Sequence, residues 1–76
     1  MSELSERIGE NIRIYRRANR MTLSELALKI NKSKATVGKY EQGTIALDMD
    51  TLYEIAAALK VSPFQLMVSL LPEKKE

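Results

Sequence analysis

The sequence predicts an all-α fold, a compact bundle of five short helices. Three observations point to it. Apolar residues recur at helical spacing along the chain, no alternating stretch is long enough for a strand, and capping residues divide the chain into segments of helical length. At 76 residues there is room for one small domain with a thin stability margin, to which a partner subunit would add.

Leu4, Ile8, Ile12 and Tyr15 fall at i, i+4, i+8 and i+11, a single stripe that predicts a first helix from about Glu3 to Asn19. Thr22-Leu-Ser-Glu25 reads as a capping box, in which the Thr22 hydroxyl accepts from the Glu25 N–H and the Glu25 carboxylate reaches back. The second helix turns Leu26, Ala27 and Ile30 inward and stops at Asn31, a residue that tolerates a left-handed backbone. Ser33 caps a third helix that buries Val37 and Tyr40 and ends at Gly43. Asp48 caps a fourth, with Met49, Leu52, Ile55, Ala56 and Leu59 on one side and the charges of Asp48 and Asp50 at its N-terminus. Ser62-Pro-Phe-Gln65 is a second capping box with Pro at the first helical position. The fifth helix is expected from Pro63 to about Leu71, before Pro72 and a polar tail over residues 72–76.

The net charge of +2 hides a segregation. Between Asn11 and Lys39 stand eight bases (Arg13, Arg16, Arg17, Arg20, Lys29, Lys32, Lys34, Lys39) and one acid, Glu25, a balance of +7. The other residues carry four bases and nine acids, a balance of −5. This polarity suits one face that meets an anion, although a solvated helical surface has the same composition. With no Cys and no His, disulfides and the usual zinc sets are excluded, and no metal, cofactor or catalytic residue is expected. The Asp48 and Asp50 carboxylates are explained as helix N-terminal charges rather than catalytic acids. No stretch resembles a signal peptide or a membrane span, so a cytoplasmic location without membrane partners is expected.

Two short helices joined by a turn over Asn31 to Ser33 have the spacing of a helix-turn-helix. Ala27 is the small residue where the helices cross, Asn31 permits the positive φ of the turn, and Val37 and Tyr40 are the apolar groups beneath the second helix. Lys34, Ala35, Gly38 and Lys39 remain on the outer face, where a recognition helix meets the major groove.

Ile8-Gly-Glu-Asn-Ile-Arg-Ile-Tyr-Arg16, Leu26-Ala27, Val37, Glu41-x-Gly43 and Leu52…Ala56…Leu59-x-Val61-Ser62 resemble the lambda-repressor/Cro-like helix-turn-helix family, also called the Xre type. The resemblance runs from about Ile8 to Leu66. It implies a domain over residues 1–71, with its helix-turn-helix unit over about 22–42 and a dimerisation helix over about 63–71. Three departures stand out. Leu23 occupies a place that is usually Gln and touches the DNA backbone, Asn31 replaces the usual turn Gly, and Leu47 replaces a common Pro.

The resemblance also implies that Arg16 and Glu41 pair as scaffold between the first and third helices. By position it places Lys34, Ala35 and Lys39 at base edges and Thr36 and Gln42 near phosphates. Ser33, Lys32 and Arg20 are further phosphate contacts at the edge of the unit. For each lysine the alternative is a solvated side chain. Gly38 weakens its helix, and its bare backbone would suit close approach to the groove floor; simple tolerance of the glycine is the other reading.

One such module covers half of a palindromic operator, so a homodimer is expected on double-stranded DNA. Phe64, Leu66, Met67, Val68, Leu70 and Leu71 are too many apolar groups for one side of a short helix. Phe64 and Leu66 are expected in the core, and Met67, Leu70 and Leu71 at the dimer interface. A transcriptional regulator, chiefly a repressor or controller protein, is the resulting expectation, with RNA polymerase as a partner if a bound dimer activates. An adaptor or antitoxin-like module on the same fold, with weak or no DNA binding, is the competing reading.

Overall fold

The structure is a computed structural model and describes residues 2–68. Its elements are α1 (Glu3–Ala18), α2 (Leu23–Lys29), α3 (Lys34–Gln42), α4 (Met49–Leu59) and α5 (Pro63–Met67), with no strand among the described residues. None of these helices is long and apolar enough to cross a membrane.

Each helix starts where a side chain takes over an otherwise unpaired backbone N–H. Ser2, Thr22, Ser33, Asp48 and Ser62 accept from the N–H groups of Ser5, Glu25, Thr36, Thr51 and Gln65. In α2 and α5 the third residue answers: Glu25 accepts from Thr22 N–H at 2.7 Å and Gln65 from Ser62 N–H at 2.8 Å. The hydrogen bonds from Thr22 hold the Glu25 carboxyl below its ordinary pKa, and those from Thr51 do the same for Asp48.

The first four helices end alike. At α2 the N–H of Lys32 donates to Ala27 O at 2.9 Å and that of Asn31 to Leu28 O, with Asn31 at φ 56°. The same paired bonds close α1 at Arg20, α3 at Gly43 and α4 at Lys60, all left-handed. Of these residues only Gly43 escapes the Cβ penalty of that conformation.

Ile8, Ile12, Leu26, Ala27, Ile30, Val37, Tyr40, Leu52, Ile55, Ala56, Leu59 and Leu66 form one core cluster, which draws on all five helices. Tyr15 packs against it half-buried, and three other expected members are exposed. Leu4 and Met49 sit in the first turns of α1 and α4, where side chains lean past the end of the bundle, and both are exposed. Phe64, expected inside, is 70% exposed. Leu66 takes the inward direction of α5, and a residue two places away points about 200° round the helix.

The fifth helix also stops earlier than the sequence suggests. Val68 is already extended, so α5 ends at Met67, not Leu71; residues 69–76 lie outside the described residues. At this end the buried Asn11 of α1 donates through Nδ2 to Leu66 O at 2.9 Å and to Val68 O. Replacing Asn11 with Leu keeps the volume but leaves the Leu66 carbonyl without its donor. Urea unfolding should show a loss of about 1–3 kcal/mol; a variant as stable as the parent would mean that the tie contributes nothing.

α1 and α3 approach one another closely at Gly9. A Cβ on Gly9 would lie 2.3 Å from Tyr40 O and 2.6 Å from Glu41 O, so only glycine fits there. One turn earlier, Glu6 lies against Gly43, whose φ of 74° and lack of Cβ both serve the contact. These two glycines set how deeply α1 beds against the C-terminal half of α3.

Candidate nucleic-acid interface

α2 and α3 are joined by the turn through Asn31, Lys32 and Ser33, and Ala27 of α2 is buried in the core. Val37 and Tyr40 point into the core, which orients α3. Its remaining positions face outward as helical periodicity requires. Lys34, Ala35, Lys39 and Gln42 are exposed, while Thr36 and Gly38 are half-buried. The Ser33 hydroxyl accepts from Thr36 N–H at 3.0 Å and donates to Thr36 Oγ1 at 2.8 Å, so both side chains are held at the N-terminus of α3. Lys32 and Arg20 are exposed on the flanking turns.

Glu41 is the one acid on α3, and its charge is met from inside the fold. Arg16 Nε donates to Glu41 Oε2 at 2.6 Å and Nη2 to Oε1 at 3.1 Å, while Nη1 reaches Met21 O at 2.8 Å. The side chains retain 12% and 8% of their exposure. The hydrogen bond to Glu41 raises the pKa of the Arg16 guanidinium further, against the opposing effect of burial. The outer surface of α3 is thereby left with lysines and no uncompensated carboxylate.

Beside this pair lies a cleft of about 300 Å³ lined by Arg13, Arg16, Arg17, Leu23, Gly38, Glu41 and Gln42. Arg13 and Arg17 enter the sequence-level charge count but receive no role there. Their i, i+4 spacing, two like charges on one helical face, is the signal that singles them out. Phe64 and Met67 are exposed on α5, away from this surface in sequence; Leu70 and Leu71 lie outside the described residues.

The HTH_3 helix-turn-helix family model matches residues 12–66, most of the chain. The chain belongs to the HTH_3 family. This family is one of DNA-binding transcription regulators and is of the lambda-repressor-like, Xre type. Among solved structures, the HTH_3 domain is similar to the clp gene regulator ClgR from Corynebacterium glutamicum, with 26% identity and a TM-score of 0.83 over 86% of this chain and 69% of that one. It is also similar to the BldD DNA-binding domain from S. venezulae, with 26% identity and a TM-score of 0.77 over 88% of this chain and 100% of that one. The restriction-modification controller protein C.AhdI from Aeromonas hydrophila shares the fold at 24% identity, with a TM-score of 0.78 over 82% of this chain and 94% of that one. No curated protein matches the sequence.

Proposed function

We propose that the protein is a sequence-specific transcriptional repressor or controller that binds a palindromic operator as a homodimer, with α3 in the major groove. The observation that carries this reading is the outer face of α3. Lys34, Ala35 and Lys39 stand clear of the fold there, and the helix's one acid is engaged by Arg16. Lysine donates to guanine O6 or N7, and the Ala35 methyl meets a thymine methyl. Gly38 brings bare backbone to the same face. In this reading Ser33, Thr36, Gln42, Lys32 and Arg20 contact phosphates, which fix register without reading sequence. With few donors for direct readout, DNA shape and bridging water supply much of the specificity.

Pairing through α5 is favoured by the exposure of Phe64 and Met67, which adds Phe64 to the interface group of Met67, Leu70 and Leu71. The two recognition helices would then meet half-sites about 34 Å apart on one side of the duplex. Repression follows where the operator overlaps a promoter; contact of a bound dimer with RNA polymerase would activate instead. Such a regulator works in the cytoplasm.

Selection of bound duplexes from a random pool tests the reading. An enriched palindrome is expected, with log affinity falling steeply as log salt rises. Lys34→Ala or Lys39→Ala should each weaken binding by about tenfold or more and relax preference at one base step. A pool with no enrichment and a flat salt response would defeat the proposal and leave the adaptor reading, in which the basic face meets an acidic protein.

A further inference from the structure

We propose that the cleft between α1 and α3 holds a phosphodiester of the DNA backbone between Arg13 and Arg17, and that Gly38 keeps the space open for it. The inference rests on the DNA-binding reading above and extends it to residues that reading does not use.

Arg13, Arg16 and Arg17 lie at i, i+3 and i+4 on α1, and Gly38, Glu41 and Gln42 at i, i+3 and i+4 on α3. Each set occupies one helical face, and the two faces line the same cleft, with Leu23 at its side. Arg16 and Glu41 satisfy one another. Arg13 and Arg17 have no carboxylate within ion-pair distance among the described residues. Two like charges one turn apart repel, and an anion bound between them removes that repulsion.

Gly38 gives the second, independent observation. Glycine within a helix is unfavourable, so a packing reason is the first to seek. Neither the fold nor the backbone needs it. A Cβ built there meets only Leu23 Cδ2, at an ordinary 3.6 Å, and φ is not left-handed. The missing side chain instead leaves the wall of the cleft bare. Gln42 adds a neutral hydrogen-bond donor, whereas Leu23 offers none. The cleft shares Gly38 with the base-reading face of α3, so a phosphate held there belongs to a strand lying along that face.

The test uses the full chain and its selected operator duplex, with fluorescence anisotropy across a salt series. Arg13→Gln and Arg17→Gln should each weaken binding by about tenfold and make the log–log salt slope shallower by about 1. The same fractional loss is expected on an unrelated duplex, since phosphates carry no sequence. Arg→Lys at either position should restore the slope. Gly38→Leu, which fills the cleft, should lower affinity to a similar degree while circular dichroism shows an unchanged fold; if that variant does not fold, the exposed arginine variants still decide. Wild-type affinity and slope in both Arg→Gln variants would overturn the inference while leaving DNA binding intact. If the parent shows no salt-dependent duplex binding, the DNA-binding reading itself fails and takes the inference with it. Inorganic phosphate supplies the remaining arm. Amide shifts at Gly38 and Gln42 on its addition, abolished in the double arginine variant, together with duplex binding that the variants leave unchanged, would assign the cleft to a small phosphate ligand and overturn the backbone role.

Discussion

Replacing Gly9 with Ala is expected to cost about 3 kcal/mol or more, a large share of the roughly 4–11 kcal/mol that hold a domain of this length together. The added methyl would sit 2.3 Å from one backbone carbonyl oxygen of α3 and 2.6 Å from the next. A flexible side chain could turn aside, but these atoms move only if the helix moves. Alanine's better helix propensity returns about 1 kcal/mol, too little to reverse the sign. The shift would open the interface that seats Glu6 against Gly43 and carry α3 away from the core residues beneath it. Guanidinium unfolding should therefore show a lower midpoint, and operator affinity should fall with it. A Gly9→Ala protein within about 1 kcal/mol of the parent would mean that α1 and α3 do not cross this closely.

The second large effect concerns Arg16 and Glu41. Truncating either partner strands a mostly buried charge, and each of Arg16→Met and Glu41→Leu should cost about 3–5 kcal/mol. The double variant should lose less than either single change, because two apolar side chains of similar volume suit the site. It does not return to the parent, since Met21 O loses its donor whenever Arg16 is removed. A double-mutant cycle measured by urea unfolding checks this. If the double loss equals the sum of the single losses, the two side chains do not act as a pair. The effect on DNA binding should follow the fold: the pair anchors α3 from behind and neutralises the only acid on it.

Much of this arrangement is legible in the residues because it is local. A cap needs one oxygen three residues from one N–H, and Thr22, Ser33, Asp48 and Ser62 announce themselves on that basis. Asn31 and Gly43 mark helix ends for an equally local reason. The core positions of α2 and α3 follow from periodicity. The outward set Lys34, Ala35 and Lys39 then follows by subtraction. Arg20 and Lys60 also take left-handed backbones, but nothing in a basic side chain advertises that; the capping bonds from the following residues impose it.

Other features depend on what lies opposite. Phe64 and Leu66 are both apolar and two residues apart, and only the placement of α1 and α4 beside α5 decides that Leu66 goes inside. Met49 fits the stripe of α4 yet sits exposed at the first turn of that helix. Asn11 reads as one polar residue in an amphipathic helix until α5 arrives with carbonyls to bind.

By itself, then, the sequence determined five helical segments, the N-caps of the last four, the helix-turn-helix register and the basic charge between residues 11 and 39. These are matters of hydrogen bonds and periodicities within a few residues of one another. Only the tertiary structure decided that Gly9 lies against the α3 backbone, that Asn11 ties down the end of α5, and that Arg13, Arg17 and Gly38 border one cleft. Each of those involves atoms more than twenty residues apart, brought together by how two helices cross. A crossing depends on the summed shape of both surfaces, and no short stretch of either helix carries that information.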